Sequence, residues 1–169
     1  PDTNLMLDLE LTQRGDMDTL QEQHYFTTPF YHVRKLEFLE TLRGVSARYL
    51  EAARPHHAQD QVVTMTANFW HEPELSDFSQ YVSQTAWNIL ASQGYAMETM
   101  VTFFMEMWTQ EHRQNSYMET HVHGHGAQIS AFYFLDVPAN SGKLVIHDPR
   151  PAKVITDLSE QDQKKSTSA

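Results

Sequence analysis

Three histidines crowd the stretch Glu119-Thr120-His121-Val122-His123-Gly124-His125-Gly126. In an extended strand, residues two apart project to the same face, so Tyr117, Glu119, His121 and His123 are expected to share one side. Alternating imidazoles are a way to hold a single ion, and neutral imidazole suits iron, zinc, copper and nickel. A lone strand histidine is more often a surface residue or a satisfied core residue. Three at this spacing, ending in a glycine-rich turn, make a metal site a serious competing reading. His125 lies between two glycines that permit the chain to turn out of the strand. It is therefore expected to lose phase with His123 and to face solvent or stand behind the ligands.

The remaining candidates carry less. His147 precedes Asp148, and an adjacent pair on a strand faces opposite sides, so only one of the two could point inward. His24, His32, His71 and His112 are isolated and His56-His57 lies in a polar connector, which fits solvated or capping roles. The methionines and aromatics of Met97 to Trp108 read as core packing rather than as a cofactor box. Ser130 has no Gly-x-Ser-x-Gly elbow and no ordered acid partner, which argues against hydrolase chemistry. There is no P-loop and no dinucleotide glycine fingerprint. With no Cys in the chain, disulfides, thiolate zinc sites, iron–sulfur clusters and cysteine nucleophiles are excluded, and the histidines dominate any metal reading.

The elements that must position these groups are legible in part. Leu5, Leu7, Leu9 and Leu11 alternate with other residues as in a half-buried strand. Val33, Leu36, Leu39, Leu42, Val45 and Tyr49 recur at helical spacing, between Thr28-Pro29 as a start and Arg54-Pro55 as a stop. Val62 to Trp70 is β-branched and aromatic, so an extended conformation is expected. A second helix has Ser76 as N-cap, Phe78, Val82, Ala86 and Ile89 as its apolar face, and Gly94 at its end. From Tyr95 onward the pattern predicts successive strands: Met97 to Trp108, Tyr117 to His123, Ile129 to Val137 and Lys143 to His147. The turn Pro138-Ala139-Asn140-Ser141-Gly142 separates the last two, and Ser159 to Ala169 is polar and featureless.

At 169 residues the chain fits one domain, 1–169, with a helical first half at about 29–94 and a β-rich core at about 95–158. Twelve Lys and Arg against 22 Asp and Glu give a net charge of −10, which opposes a phosphate backbone or an anionic membrane surface as partner. A small-molecule or peptide substrate is the expected partner. No stretch approaches the ~18 apolar residues of a membrane span. The acidic opening Pro1-Asp2-Thr3 lacks the regions of a signal peptide, so a cytoplasmic location is expected.

The run His121-x-His123, then Ser130-Ala131-Phe132-Tyr133-Phe134-Leu135, Pro138, Ser141-Gly142-Lys143-Leu144 and Asp148-Pro149-Arg150, resembles the iron(II)- and 2-oxoglutarate-dependent oxygenase family. The branch it looks most like is patterned His-x-His, Ser-Gly-x-Tyr-Tyr, Ser-Gly, Asp-Pro-Arg. Trp108, ahead of the histidine pair, also matches, and the likeness spans roughly Trp108 to Lys153, about a quarter of the chain. The resemblance implies a mainly β fold with flanking helices, a double-stranded β-helix or jelly roll, here incomplete at its C-terminal side. It also implies Fe(II) and 2-oxoglutarate as cofactors, bound through a facial triad of two His and one carboxylate.

Carried over residue by residue, His121 is the first metal ligand, and His123 occupies the position where many relatives have the acid. An imidazole there leaves the iron centre one unit more positive. Tyr117, Tyr133 and Arg150 are the residues expected to bind the cofactor. The family's distal His and the basic residue for the 2-oxoglutarate carboxylate are expected beyond Ala169, which would leave the site one ligand short within this sequence. The implied reaction hydroxylates a substrate carbon as 2-oxoglutarate becomes succinate and carbon dioxide. Two alternatives stand beside it: a non-catalytic jelly-roll module for binding or structure, and a cupin-like enzyme with a three-His metal site and no 2-oxoglutarate.

Overall fold

Leu42, Val45 and Leu50 bury one stripe of the first helix, α1 (Leu39–Ala53), and Tyr49 packs beside them. In this computed structural model, which describes residues 28–56, 62–124 and 126–147, a 3-10 turn at Leu36–Phe38 leads into α1 and another at Arg54–His56 follows it. The chain divides into two units, Val33–Lys143 and a second formed by Pro1–His32 with Leu144–Ala169. All the regular elements described here belong to the first. The strand expected at Leu5 to Leu11 lies outside the described residues.

Helical backbone starts later than Thr28-Pro29 predicts, and Val33 is left 69% exposed. The reason sits at Lys35, whose φ of −130° and ψ of 75° are not helical. Its carbonyl accepts the Tyr133 hydroxyl at 2.5 Å, while its ammonium pairs with Glu37 at 2.6 Å and lies 4.5 Å from the Tyr81 ring centre. Helix α1 then stops where Arg54-Pro55 predicts, because proline offers no N–H to continue the ladder.

The second helix, α2, spans Ser76–Ser92 and is preceded by a turn at Pro73–Leu75. Ser76 is already helical and makes no side-chain cap; the start is set instead by the proline-led turn before it. The C-terminal end follows the sequence closely. Gly94 has a φ of +92°, its N–H donates to the Ala91 carbonyl at 3.1 Å, and the Tyr95 N–H donates to Leu90 at 3.2 Å. This pair of bonds is a Schellman motif, which satisfies carbonyls that the helix end would otherwise orphan.

Two short strands, β1 (Val63–Met65) and β2 (Gln110–His112), pair antiparallel with Thr64 opposite Glu111. Further bonds prolong this ladder on both sides: Arg113 N–H to Val62 at 2.9 Å, Thr66 N–H to Thr109 at 3.0 Å and Phe69 N–H to Met107 at 2.9 Å. Asn68 replaces missing backbone bonds with its side chain, accepting the Met107 N–H at 3.0 Å and donating to the Met105 carbonyl at 3.4 Å. Ahead of the ladder, a turn at 97–100 leads into residues 101–104, and both are tied to α2. Trp87 donates to the Met97 and Met100 carbonyls at 3.2 and 3.0 Å, and the Thr102 hydroxyl donates to the Ser83 carbonyl at 2.5 Å. A bend at Met105 switches the inward parity, from Thr102 and Phe104 to Met107 and Thr109.

The core gathers Leu42, Val45, Phe69 and Leu75, with Phe38, Tyr49, Phe78, Met107, Tyr133 and Leu135 packed around it. The jelly roll expected from the resemblance is therefore corrected: the regular structure is mainly two helices of 15 and 17 residues, and the described strands are two of three residues each. Within the β-rich core expected at 95–158, β2 is the strand found among the described residues. Within 129–137 the alternation holds over 132–135, with Tyr133 and Leu135 inward and Phe132 and Phe134 exposed, but these residues pair with no strand among the described residues. Alternation dictates an extended backbone and an inward face; a sheet also needs a neighbouring strand to take the backbone hydrogen bonds.

Candidate metal site

Trp108 is the fixed end of the site. Its neighbours are tied down on both sides: Met107 bonds to Phe69 and Asn68, and Thr109 bonds to Thr66. The Thr109 hydroxyl also donates to Ser46 of α1 at 2.7 Å, and both Ser46 and Thr66 are buried. The part-buried indole of Trp108 meets the His123 ring, with centroids 6.2 Å apart and planes tilted by 38°.

His121 and His123 lie beyond the turn at Arg113–Ser116, on residues 117–124, all exposed and outside any ladder. Their ring centroids are 5.6 Å apart with planes at 61°. Nδ1 of His121 is 2.7 Å from the Glu119 carbonyl oxygen. A carbonyl can only accept, so Nδ1 is the donor in this contact, and in a neutral ring the lone pair is then on Nε2. This is the arrangement of a metal-binding histidine whose far nitrogen is held by a backbone acceptor.

Neutral imidazole is a donor type that iron and other first-row metals take, and two such rings are neighbours here. Among the described residues no group of three His, Asp or Glu could hold an ion. His125 and Asp148 lie outside the described residues, and the exposed His147 belongs to the other unit.

Residues 106–169 match the family model described as "Putative 2OG-Fe(II) oxygenase". No curated protein and no solved structure matches the chain. The matched segment thus begins just before Trp108 and contains β2 and both candidate ligands, while α1, β1 and α2 precede it. Among the described residues no helix is long and apolar enough to cross a membrane.

Of the other residues expected to bind the cofactor, Tyr117 is exposed on the same segment as the two histidines. Tyr133 places its ring against the core, 5.7 Å from Phe78, and its hydroxyl donates to Lys35. Arg150 lies outside the described residues. His112, expected to be solvated or capping, has both ring nitrogens on neighbouring side chains, Ser116 at 3.0 Å and Gln110 at 3.2 Å. The contact between Trp108 and His123 was not readable from spacing. The sequence marks Trp108 as a large apolar residue, and nothing in it records which distant ring it meets.

Proposed function

We propose that this chain forms part of an iron(II)- and 2-oxoglutarate-dependent oxygenase in which His121 and His123 are two of the metal ligands. The observation that carries this reading is the oxygenase-family segment itself, with the imidazole pair inside it and the proton of His121 held on Nδ1 by Glu119. In such an enzyme the bound iron with 2-oxoglutarate supplies the oxidising chemistry, taking the cosubstrate to succinate and carbon dioxide as a substrate carbon is hydroxylated. The residues of this chain hold and orient. Nε2 of His121 is offered to the ion, Glu119 keeps the ring turned, and the neutral His123 leaves more positive charge at the centre than a carboxylate would. That charge favours the dianionic cosubstrate in a protein whose net charge is −10.

The test is metal and cosubstrate binding by the protein, followed by calorimetry under anaerobic conditions. Expected are Fe(II) binding that is lost in His121→Ala and in His123→Ala, and 2-oxoglutarate binding that requires the metal. Cosubstrate binding that is the same with and without Fe(II), or metal binding untouched by both substitutions, would overturn the reading. Metal bound through both histidines without any 2-oxoglutarate affinity would favour a metalloenzyme of another kind.

A further inference from the structure

The segment carrying the two histidines is exposed and unpaired, whereas Trp108 is built into the best-anchored stretch of the first unit. The ring contact between Trp108 and His123 joins the two. An exposed histidine samples several rotamers, and metal capture must remove that freedom. An indole face against one side of the imidazole restricts the ring before the ion arrives. Coordination also withdraws electron density from the imidazole, and the electron-rich face of tryptophan favours a ring that has become more positive. The first effect acts on the free protein and the second on the bound state, and both favour metal capture.

We infer that Trp108 is a positioning residue for this site: anchored through Met107 and Thr109, it holds the His123 ring beside that of His121 and so raises affinity for a divalent metal. The inference rests on the reading of His121 and His123 as ligands. It differs from that reading in what it asks of the protein. Trp108 touches no metal, and its effect is exerted wholly through His123.

The experiment is a Co(II) titration of the protein and of Trp108→Phe and Trp108→Leu, followed by calorimetry and by tryptophan emission. Loss of a group that orients a metal ligand weakens affinity by about 10- to 100-fold. Trp108→Leu is expected to fall in that range, and Trp108→Phe, which keeps a ring face, to stay within about threefold of the parent. Of the three tryptophans, Trp108 is the one that should report the ion: Co(II) should quench emission in the parent, and the quench should vanish in Trp108→Phe. Should Trp108→Leu lose its fold by circular dichroism, the ring protons of His123 in the parent decide the matter. They should resonate upfield of those of His121 and move back in Trp108→Phe. Unchanged Co(II) affinity in a folded Trp108→Leu, or identical His123 shifts in parent and Trp108→Phe, overturns the positioning role while leaving the ligand reading intact. Failure of the parent protein to bind Co(II) removes the ligand reading itself, and the inference with it.

Discussion

Glu111 ties the end of α1 to β2 through a two-pronged bond, accepting from Arg54 Nε at 3.1 Å and Nη2 at 2.5 Å. The Arg54 guanidinium holds its carboxyl below the usual carboxylate range, against a smaller upward push from partial burial. A carboxyl depressed in the folded state contributes stability above its unfolded value, about 4.3, and loses that contribution as pH falls through the lower folded value. Glu111→Gln is therefore expected to melt below the parent at neutral pH and to converge with it in strong acid. Melting curves from pH 7 down to pH 2 check this, and a gap that stays constant across the series would contradict it. The same scale holds the part of the site that sequence discloses best. The two-residue spacing of His121 and His123 is enough to bring their rings together on an extended backbone, whereas the contact of Trp108 with His123 depends on how the chain returns after residue 113.

Elements were legible where their ends are written in local chemistry. Gly94 marks the end of α2 because a φ of +92° is open to glycine and costly for other residues. Asn140, with a φ of +68°, closes the expected turn that brings the Ser141 N–H to Pro138. A Cβ added at Gly94 meets nothing within 4 Å, so Gly94→Ala carries the backbone cost alone, roughly 1–2 kcal/mol in denaturant unfolding. A destabilisation near zero would mean that the Schellman turn relaxes. What sequence left unread is pairing across distance. Thr66, Thr109 and Ser46 form one polar line between α1 and the ladder, and Asn68 bonds to Met107 beside it, yet each alone is an ordinary residue of its segment. Thr109→Val leaves the buried Ser46 hydroxyl without its donor and is expected to cost about 1–3 kcal/mol. Adding Ser46→Ala should recover part of that loss, and strict additivity of the two substitutions would show that the hydroxyls do not act as a pair.

At the scale of the molecule, the difference between the expected jelly roll and the helical core is a difference in where burial lies. Phe69 is 2% exposed, packs 5.0 Å from the Tyr49 ring and bonds through its backbone to Met107. Phe134 belongs to a stretch of equal apolarity, but it is 62% exposed, because the alternation turns Tyr133 and Leu135 to the core in its place. Were residues 129–137 an inner strand sandwiched between sheets, both phenylalanines would be core residues and their truncations would cost alike. With the architecture found here, Phe69→Ala should lose about 3–5 kcal/mol, a large share of the 5–15 kcal/mol by which a domain is ordinarily stable. Phe134→Ala should stay within about 0.5 kcal/mol of the parent, as surface substitutions do. Urea unfolding of the two variants measures the contrast directly. Equal losses would return the aromatic stretch to the interior of a sheet, while the expected inequality places the core on α1, Phe69 and Leu75, behind the strand that carries Trp108.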